Sequence, residues 1–471
     1  MEVTSGWASA SATIVTGGRT VDVRALNARA DLVEAQAAGG VSAGTPVGLW
    51  LEDPADLAAG LFGLTAAGNP VFIIAPDSTP STVGELCAIE GSTAVLCDED
   101  RAARLTDAIV QPYAAGLVLV RTPHTASGAP PSAAGSVHFF TSGTDGRPKG
   151  VVRPRHSLAV EATAVGSHLG MGPGCVVLCA APVSHAYGFA DGLFAPLALG
   201  ATSIVERPRL AASLARLLAE HQPDIVIAVP GQYAAWASLR QPYTGRMPRL
   251  WISSGAPLPA AVRSNFEAAW KAVISEQYGM TECGAVSVDL DGSATLGAPY
   301  PGVTLSIDGS DPEDVGEVGA VGEVVVASAH GATGYVGGPP IGAMDPFSSK
   351  GFRTADTGWL DDHGRLNLVG RRAHQVNVRG KKVDPAEIER ALWTVEGMQD
   401  VAVIGIDRST GDQWIAAFVV CAGETTDDVL HRATEGLEIF KRPQRITRLA
   451  ALPRTVTGKL DRLALVAAVR S

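Results

Sequence analysis

Paired cysteines, apolar runs of membrane length and a surplus of positive charge are all missing from this chain of 471 residues. Its six cysteines (Cys87, Cys97, Cys175, Cys179, Cys283 and Cys421) are scattered without a C-x-x-C pair or nearby histidines. Neither a disulfide framework nor a zinc site is indicated. Cys283 follows Glu282 directly, but a single cysteine in a glycine-rich segment reads as a small packed residue rather than a nucleophile. No apolar run reaches the roughly 18 residues of a membrane span, and Met1-Glu-Val-Thr-Ser5 lacks the basic start and apolar centre of a signal peptide. A cytoplasmic protein without a membrane partner is therefore expected. The formal net charge of -11 argues against a general nucleic-acid binder, whose affinity comes from basic surface, so any nucleotide site must be local. Internal repeats and low-complexity tails are absent too, and no fused carrier-protein segment is read after Lys459.

What is present begins with residues 139–151, Phe-Phe-Thr-Ser-Gly-Thr-Asp-Gly-Arg-Pro-Lys-Gly-Val. Ser136 to Phe140 can form a strand that ends where Thr141, Ser142 and Thr144 offer hydroxyl donors. Gly143 and Gly146 let backbone N–H groups approach an anion closely, and Lys149 adds a point charge. The spacing is not G-x-x-x-x-G-K-[ST], which disfavours an ordinary P-loop NTPase.

Length alone predicts two or more domains. Amphipathic helical stretches alternate with short apolar runs, the pattern of an α/β protein. Pro54 to Gly68 reads as a helix with Leu57, Leu61 and Leu64 on one face, followed by a strand over 70–75. Leu210 to Glu220 and Val262 to Lys271 read as further helices, before strands at 224–229 and 272–276. From Gly302 to Ser328 short alternating strands, Val303 to Ile307 and Glu323 to Ala327, suit a small β unit closing the large domain. The net charge changes from -14 over residues 1–370 to +3 over 371–471. A boundary at Gly370-Arg371 and a separate basic lid follow. The first lid helix is announced by Asp384 as N-cap, Pro385 at the first position and Glu387 completing a capping-box-like pair. Ile388, Ala391, Leu392 and Val395 share one face, and strands are expected at Val401 to Ile406 and Trp414 to Val420.

The loop at 141–150 resembles the phosphate loop of the adenylate-forming superfamily, T-S-G-T-[ST]-G-x-P-K-G, from which only Asp145 departs. That superfamily includes acyl- and aryl-CoA synthetases, luciferases and peptide-synthetase adenylation domains. Further matches follow in order: Pro182 to Gly188, Tyr278 to Glu282, Gly322-Glu323, Asp356, Gly370-Arg371, Gly380 with Pro385 to Glu389, and Pro453 to Lys459. The resemblance implies an α/β fold: a large N-terminal domain of α/β layers with a small β subdomain (1–370), and a small mobile α+β C-terminal lid (371–471). It also implies an AMP-forming acid–thiol ligase, which makes acyl-AMP from ATP with release of pyrophosphate and passes the acyl group to a thiol. ATP and Mg²⁺ are the implied cofactors, and CoA or phosphopantetheine the implied acceptor.

Site roles come with the resemblance. Thr141, Ser142, Gly143, Thr144 and Lys149 would hold the β- and γ-phosphates, Thr281 the α-phosphate, and Glu282 a Mg²⁺ ion, for which a hard carboxylate oxygen is suited. Gly255, Ala256 and Pro257 resemble the adenine wall, beside Tyr278 and Gly279; read alone, Thr281 and Glu282 could instead cap a helix. Asp356 would take the ribose hydroxyls, with Arg371 in support. Ala355 stands where the family usually has glycine. Lys459, on the lid, would bridge carboxylate and phosphate oxygens as charge gathers. Gly380 would line a thiol tunnel after lid rotation, and the hinge position is Ala373, where the family has Asp or Lys.

The acid pocket is expected from His185, Tyr187, Phe189, Gln232, Tyr233 and Ala256, with His185 also implied in catalysis. No aspartate stands early in this motif to bind an α-amine, although Asp191 follows, so an uncharged aryl or short acyl chain is favoured. Three readings remain: a stand-alone acid:CoA ligase; an adenylating enzyme that loads a carrier protein or another acceptor, including with an unusual small oxyacid; and a silent nucleotide-binding regulator. Intact Lys459, Glu282 and Lys149 speak against the last. Oligomeric state is left open.

Overall fold

The computed structural model describes residues 7–106, 108–121, 134–142, 148–237, 243–309, 319–338, 347–348, 350–371, 376–378, 381–383, 385–407, 413–422, 425–454 and 460–470. Two large sheets organise the N-terminal part. The first, of eight described strands, has Val47–Trp50, Val71–Ile73 and Ala94–Cys97 at its centre. Its other side is the antiparallel hairpin Val137–Ser142 and Pro148–Arg153, with the short strand Gly334–Tyr335 at the edge. The second, of nine, places Val176–Cys179, Ile225–Ala228, Leu250–Ser253 and Ile274–Met280 in parallel, then turns back through Gly284–Val288. The main core joins the two, with Leu49, Leu61, Val177, Phe189 and Ile252 among its members.

Local signals explain the elements. The helix Pro54–Ala66 starts on Asp53, whose carboxylate accepts the N–H groups of Ala55 (3.0 Å) and Asp56 (3.1 Å), with Pro54 at the first turn. The expected single apolar face is wider in the structure, because Ala55, Leu57 to Thr65 and Pro54 are all buried. Gly63 is the reason the far side fits: a Cβ there would lie 2.5 Å from the carbonyl oxygen of Ala30 in the helix Val23–Gly40. The other expected pairs appear as helix Ala211–His221 with strand Ile225–Ala228, and helix Ala260–Trp270 with strand Ile274–Met280.

The small β unit is present as Val303–Asp308, Gly322–Ser328, Gly351–Leu360, Phe347–Ser348 and Leu366–Arg371. Beyond it, Pro385–Trp393 packs on a three-stranded sheet of Met398–Asp407, Gln413–Cys421 and Arg445–Arg448. The Glu387 carboxylate accepts from the Lys441 ammonium at 2.9 Å. Asp384 lies outside the described residues. Among the described residues, no helix is long and apolar enough to cross a membrane.

Candidate active site

The loop shoulders are more regular than the sequence suggested. The strand runs on through Thr141 and Ser142, which pair with Lys149 and Pro148, so the glycine-rich turn is carried on a hairpin. Gly143 and Thr144 lie outside the described residues. Strand Gly334–Tyr335 pairs with Val152 and Val151, which puts Tyr335 two residues along from Lys149.

Tyr335 links this hairpin to the second sheet, its hydroxyl donating to Glu282 Oε1 at 3.0 Å. Burial, then the Glu282 charge, push its phenol up, so it stays a donor. Thr281 and Glu282 cap no helix; they form the turn between strands Ile274–Met280 and Gly284–Val288. The turn is held by its own backbone: the carbonyl of Glu282 accepts from Ala332 N–H at 2.7 Å and that of Cys283 from Ser328 Oγ at 2.9 Å. Cys283 itself is buried, and desolvation raises its thiol well above the usual range, as befits a wall residue.

Three residues before the turn, the buried Tyr278 donates its hydroxyl to Asp356 Oδ2 at 2.6 Å. Asp356 pairs in register with Arg371 across the hairpin of Gly351–Leu360 and Leu366–Arg371. Its neighbour Ala355 adopts φ 59°, a left-handed conformation that favours glycine, and is steadied by Glu323 Oε1, which accepts the Ala355 N–H at 3.1 Å. Thus Lys149, Glu282, Tyr278, Asp356 and Arg371 are tied by successive strand pairings and side-chain bonds. Gly255, at φ 87°, opens an exposed loop with Ala256 and Pro257, while Gly279 lies in the Tyr278 strand.

On the acid side, His185 begins a turn by donating its N–H to Pro182 O at 3.1 Å and accepting from Phe189 N–H at 2.8 Å. A π-helical segment, Gly188–Phe194, follows, and no sequence periodicity announced it. Gly188 is required there, since a Cβ would strike the Pro182 carbonyl. Tyr187 Oη lies 3.1 Å from Ile252 O and 3.3 Å from Ala228 O. Phe189 packs between Phe139 and Phe194. Gln232 is engaged by backbone, accepting from Val229 N–H and donating to Ala180 O at 2.8 Å. Tyr233, expected at the pocket, sits fully buried beside Trp236 and Phe266 in the second core cluster, its hydroxyl donated to Ile252 O.

Sequence reasoning missed a set of buried polar residues beneath the turn. Arg153, Glu161, His330, Asp191 and Gln277 are all buried. Asp191 Oδ2 accepts from Gln277 Nε2 at 2.5 Å, and Gln277 Oε1 accepts from Tyr300 at 2.8 Å. Burial, then the Glu161 charge, push the Asp191 carboxyl well above its ordinary value. Only the proximity of Arg153 to the Lys149 motif could have drawn notice. Lys459, Gly380 and Ala373 lie outside the described residues, and nothing is described of the side chains of Ser142 and Arg371.

Comparison with known proteins identifies the family. The AMP-binding enzyme family profile matches residues 6–336, and the profile of the AMP-binding enzyme C-terminal domain matches 387–459. The chain belongs to the AMP-binding enzyme family. It is 32% identical over 342 residues to the 4-hydroxybenzoate–CoA/benzoate–CoA ligase of Rhodopseudomonas palustris, covering 69% of this chain and 63% of that one. The chain thus spans less than two thirds of the length of that relative. It is 29% identical to the sulfoacetate–CoA ligase of Cupriavidus necator over 91% of this chain and 89% of that one. ATP-bound MatB from Rhodopseudomonas palustris shares the fold, with a TM-score of 0.82 at 22% identity over 98% of this chain and 96% of that one.

Proposed function

We propose that the protein activates a carboxylic acid as its acyl adenylate and passes the acyl group to a thiol, CoA foremost. A carboxylate oxygen attacks the α-phosphorus of ATP, the bond from that phosphorus to the bridging oxygen breaks, and pyrophosphate leaves. The thiol sulfur then attacks the acyl carbon, AMP departs, and the thiol proton is lost to solvent. The observation that carries this reading is the chain of contacts from Lys149 through Tyr335 and Glu282 to Tyr278 and Asp356. In this reading those contacts link a hairpin for the phosphates, a carboxylate for the metal and an acceptor for the ribose.

In this reading Thr141, Ser142, Gly143, Thr144 and Lys149 hold the outer phosphates and Thr281 the α-phosphate. Asp356 takes the ribose, with Arg371 beside it, and Lys459 closes on the reacting oxygens from a lid beginning at 371. Glu282, whose carboxylate lies at the turn beside Tyr335, would hold Mg²⁺ together with nucleotide oxygens, since a hard carboxylate oxygen suits that ion. Such an ion would neutralise phosphate charge. The two aryl substrates named for the first relative favour an aryl or short acyl acid. A cytoplasmic location goes with this reading, since the proposed reaction draws on ATP and CoA.

Pyrophosphate exchange across a panel of acids, followed by CoA thioester formation, tests the reading. Exchange with an aryl or short acyl acid is expected. If thioester forms only on an added carrier protein, the acceptor is a carrier rather than CoA; no exchange with any acid rejects the activity. Lys459→Ala should lower exchange by about a hundredfold or more while still turning preformed acyl-AMP into thioester. Gly380→Leu should do the reverse.

A further inference from the structure

Arg153 ends the strand that carries Lys149, yet its side chain is fully buried. Its Nη2 donates to Glu161 Oε2 at 2.7 Å and to the His330 carbonyl at 2.6 Å. Nη1 donates to the carbonyl of Thr281 at 3.2 Å. The second oxygen of Glu161 accepts the Ala285 N–H at 2.7 Å, and His330 Nε2 lies 2.9 Å from the Ala285 carbonyl. That partner makes Nε2 the protonated nitrogen. Between them Gly284, at φ 76°, has no room for a side chain: a Cβ would lie 2.5 Å from Glu161 Oε1 and 2.8 Å from His330 Cδ2.

One guanidinium therefore spans the hairpin strand, the helix Arg155–His168 that carries Glu161, and the turn that carries Thr281 and Glu282. A buried ion pair is a poor source of stability, because desolvating two charges offsets their attraction. What it does supply is a fixed geometry. The planar fork holds three acceptors at set angles, which an ammonium cannot do. Thr281 and Glu282, both half-buried, sit on a turn that this bond tethers from below, beside the bonds that the Glu282 and Cys283 carbonyls accept from Ala332 and Ser328.

We infer that Arg153, anchored by Glu161 and His330, is a positioning residue that aims the Thr281–Glu282 turn at the nucleotide phosphates and keeps it in register with the Lys149 hairpin. The inference rests on the adenylation site proposed above. Arg153 touches no reacting atom in this scheme. Its larger effect falls on the step in which pyrophosphate is displaced, because there the metal role of Glu282 adds to the α-phosphate contact of Thr281, and an error of about 1 Å is enough to cost on the order of a hundredfold in rate.

The test uses Arg153→Lys, which keeps a cation against Glu161 but loses the fork, in the full chain. Pyrophosphate exchange should show kcat lower by about tenfold or more with KM for the acid within about threefold. Thioester formation from synthetic acyl-AMP should stay within about threefold of wild type. A readout independent of any acid is the extra thermal stabilisation that Mg²⁺ adds to ATP binding, which the variant should lose. Where Arg153→Lys does not fold, the double variant Arg153→Met/Glu161→Gln removes both buried charges, and the same readouts apply. Wild-type kcat with an intact Mg²⁺ increment, both half-reactions falling together, or failure of both variants to fold would each overturn the inference and leave Arg153 a structural cross-link. If the wild-type chain exchanges with no acid, the proposed activity fails, while Arg153 is still decided by the Mg²⁺ increment.

Discussion

Two buried regions of the large domain are built on opposite chemistry. Behind the second sheet, Tyr233, Trp236, Trp251, Phe266 and Trp270 pack ring against ring, with Phe266 and Trp270 stacked at 5.9 Å and Tyr233 and Phe266 edge to face at 4.9 Å. Under the turn at 281–285, by contrast, Arg153, Glu161, His330 and Asp191 are just as deeply buried but carry charge or hydrogen-bonding groups. The aromatic cluster gains free energy from area removed from water and from dispersion, and many shapes of similar volume would do. The polar seam gains little net stability, because burial desolvates its charges and leaves Arg153 Nε, Asp191 Oδ1 and His330 Nδ1 without a hydrogen-bond partner among the described residues, while the bonds it does make depend on specific distances. The first region holds the fold together; the second fixes where a functional turn points.

Breaking the seam asymmetrically should have the largest effect. Arg153→Met leaves Glu161 buried without its partner and should cost about 3–5 kcal/mol in urea unfolding, part of it recovered by adding Glu161→Gln. A cost under about 1 kcal/mol would show that the seam is not charged in the way its distances imply. Phe266→Ala comes next, with a loss of about 3 kcal/mol from the cavity it opens. Its signature should be thermodynamic only: KM for ATP measured on the folded fraction is expected to be unchanged, and a large change would erase the contrast.

Asp191→Asn sharpens the comparison through pH. The folded carboxyl titrates above its ordinary value of 3.8. The stability attached to its neutral form is therefore complete below that value and is lost as pH rises towards the folded pKa, because the unfolded chain ionises first. Asparagine cannot ionise, so the variant should be the more stable at neutral pH. Its advantage should grow with pH by at most about 1.4 kcal/mol per unit and vanish near pH 4. Parallel urea titrations at pH 4, 5.5 and 7 measure this; a constant difference would mean that Asp191 is ionised in the fold. The smallest effect is expected for Tyr335→Phe, which removes one hydrogen bond to the Glu282 carboxylate. About 1 kcal/mol of orientation is at stake, equivalent to a roughly fivefold rise in the Mg²⁺ needed for half-maximal turnover.

Much of the fold was legible before any coordinates. The helix Pro54–Ala66 was marked by Pro54 and an apolar repeat, and the C-terminal strands at 398–407 and 413–421 by their apolar and β-branched runs. Motif residues Tyr278, Glu282 and Asp356 were legible as well, because their neighbours in sequence are distinctive. Less legible was what holds them. Glu161 lies eight residues from Arg153 and His330 lies 177 away, and neither separation carries a local signal. The π-helical turn at 188–194 escaped for a similar reason, since its backbone follows from the Pro182 carbonyl against Gly188 rather than from a repeat. Tyr233 shows the limit from the other side: a residue placed near the pocket by its motif neighbourhood belongs to the aromatic cluster once its strand and helix are packed.

By itself, then, the sequence determined the α/β alternation, the basic C-terminal segment and the order of the glycine-rich, aromatic and acidic motifs, because each depends on residues within a few positions of one another. The tertiary structure alone decided which carbonyls Arg153 holds, that Tyr335 meets Glu282, and that Asp191 is buried beside Glu161. These are contacts between distant segments, and their energies depend on burial and on distances of a few tenths of an ångström, which no local pattern of residue types encodes.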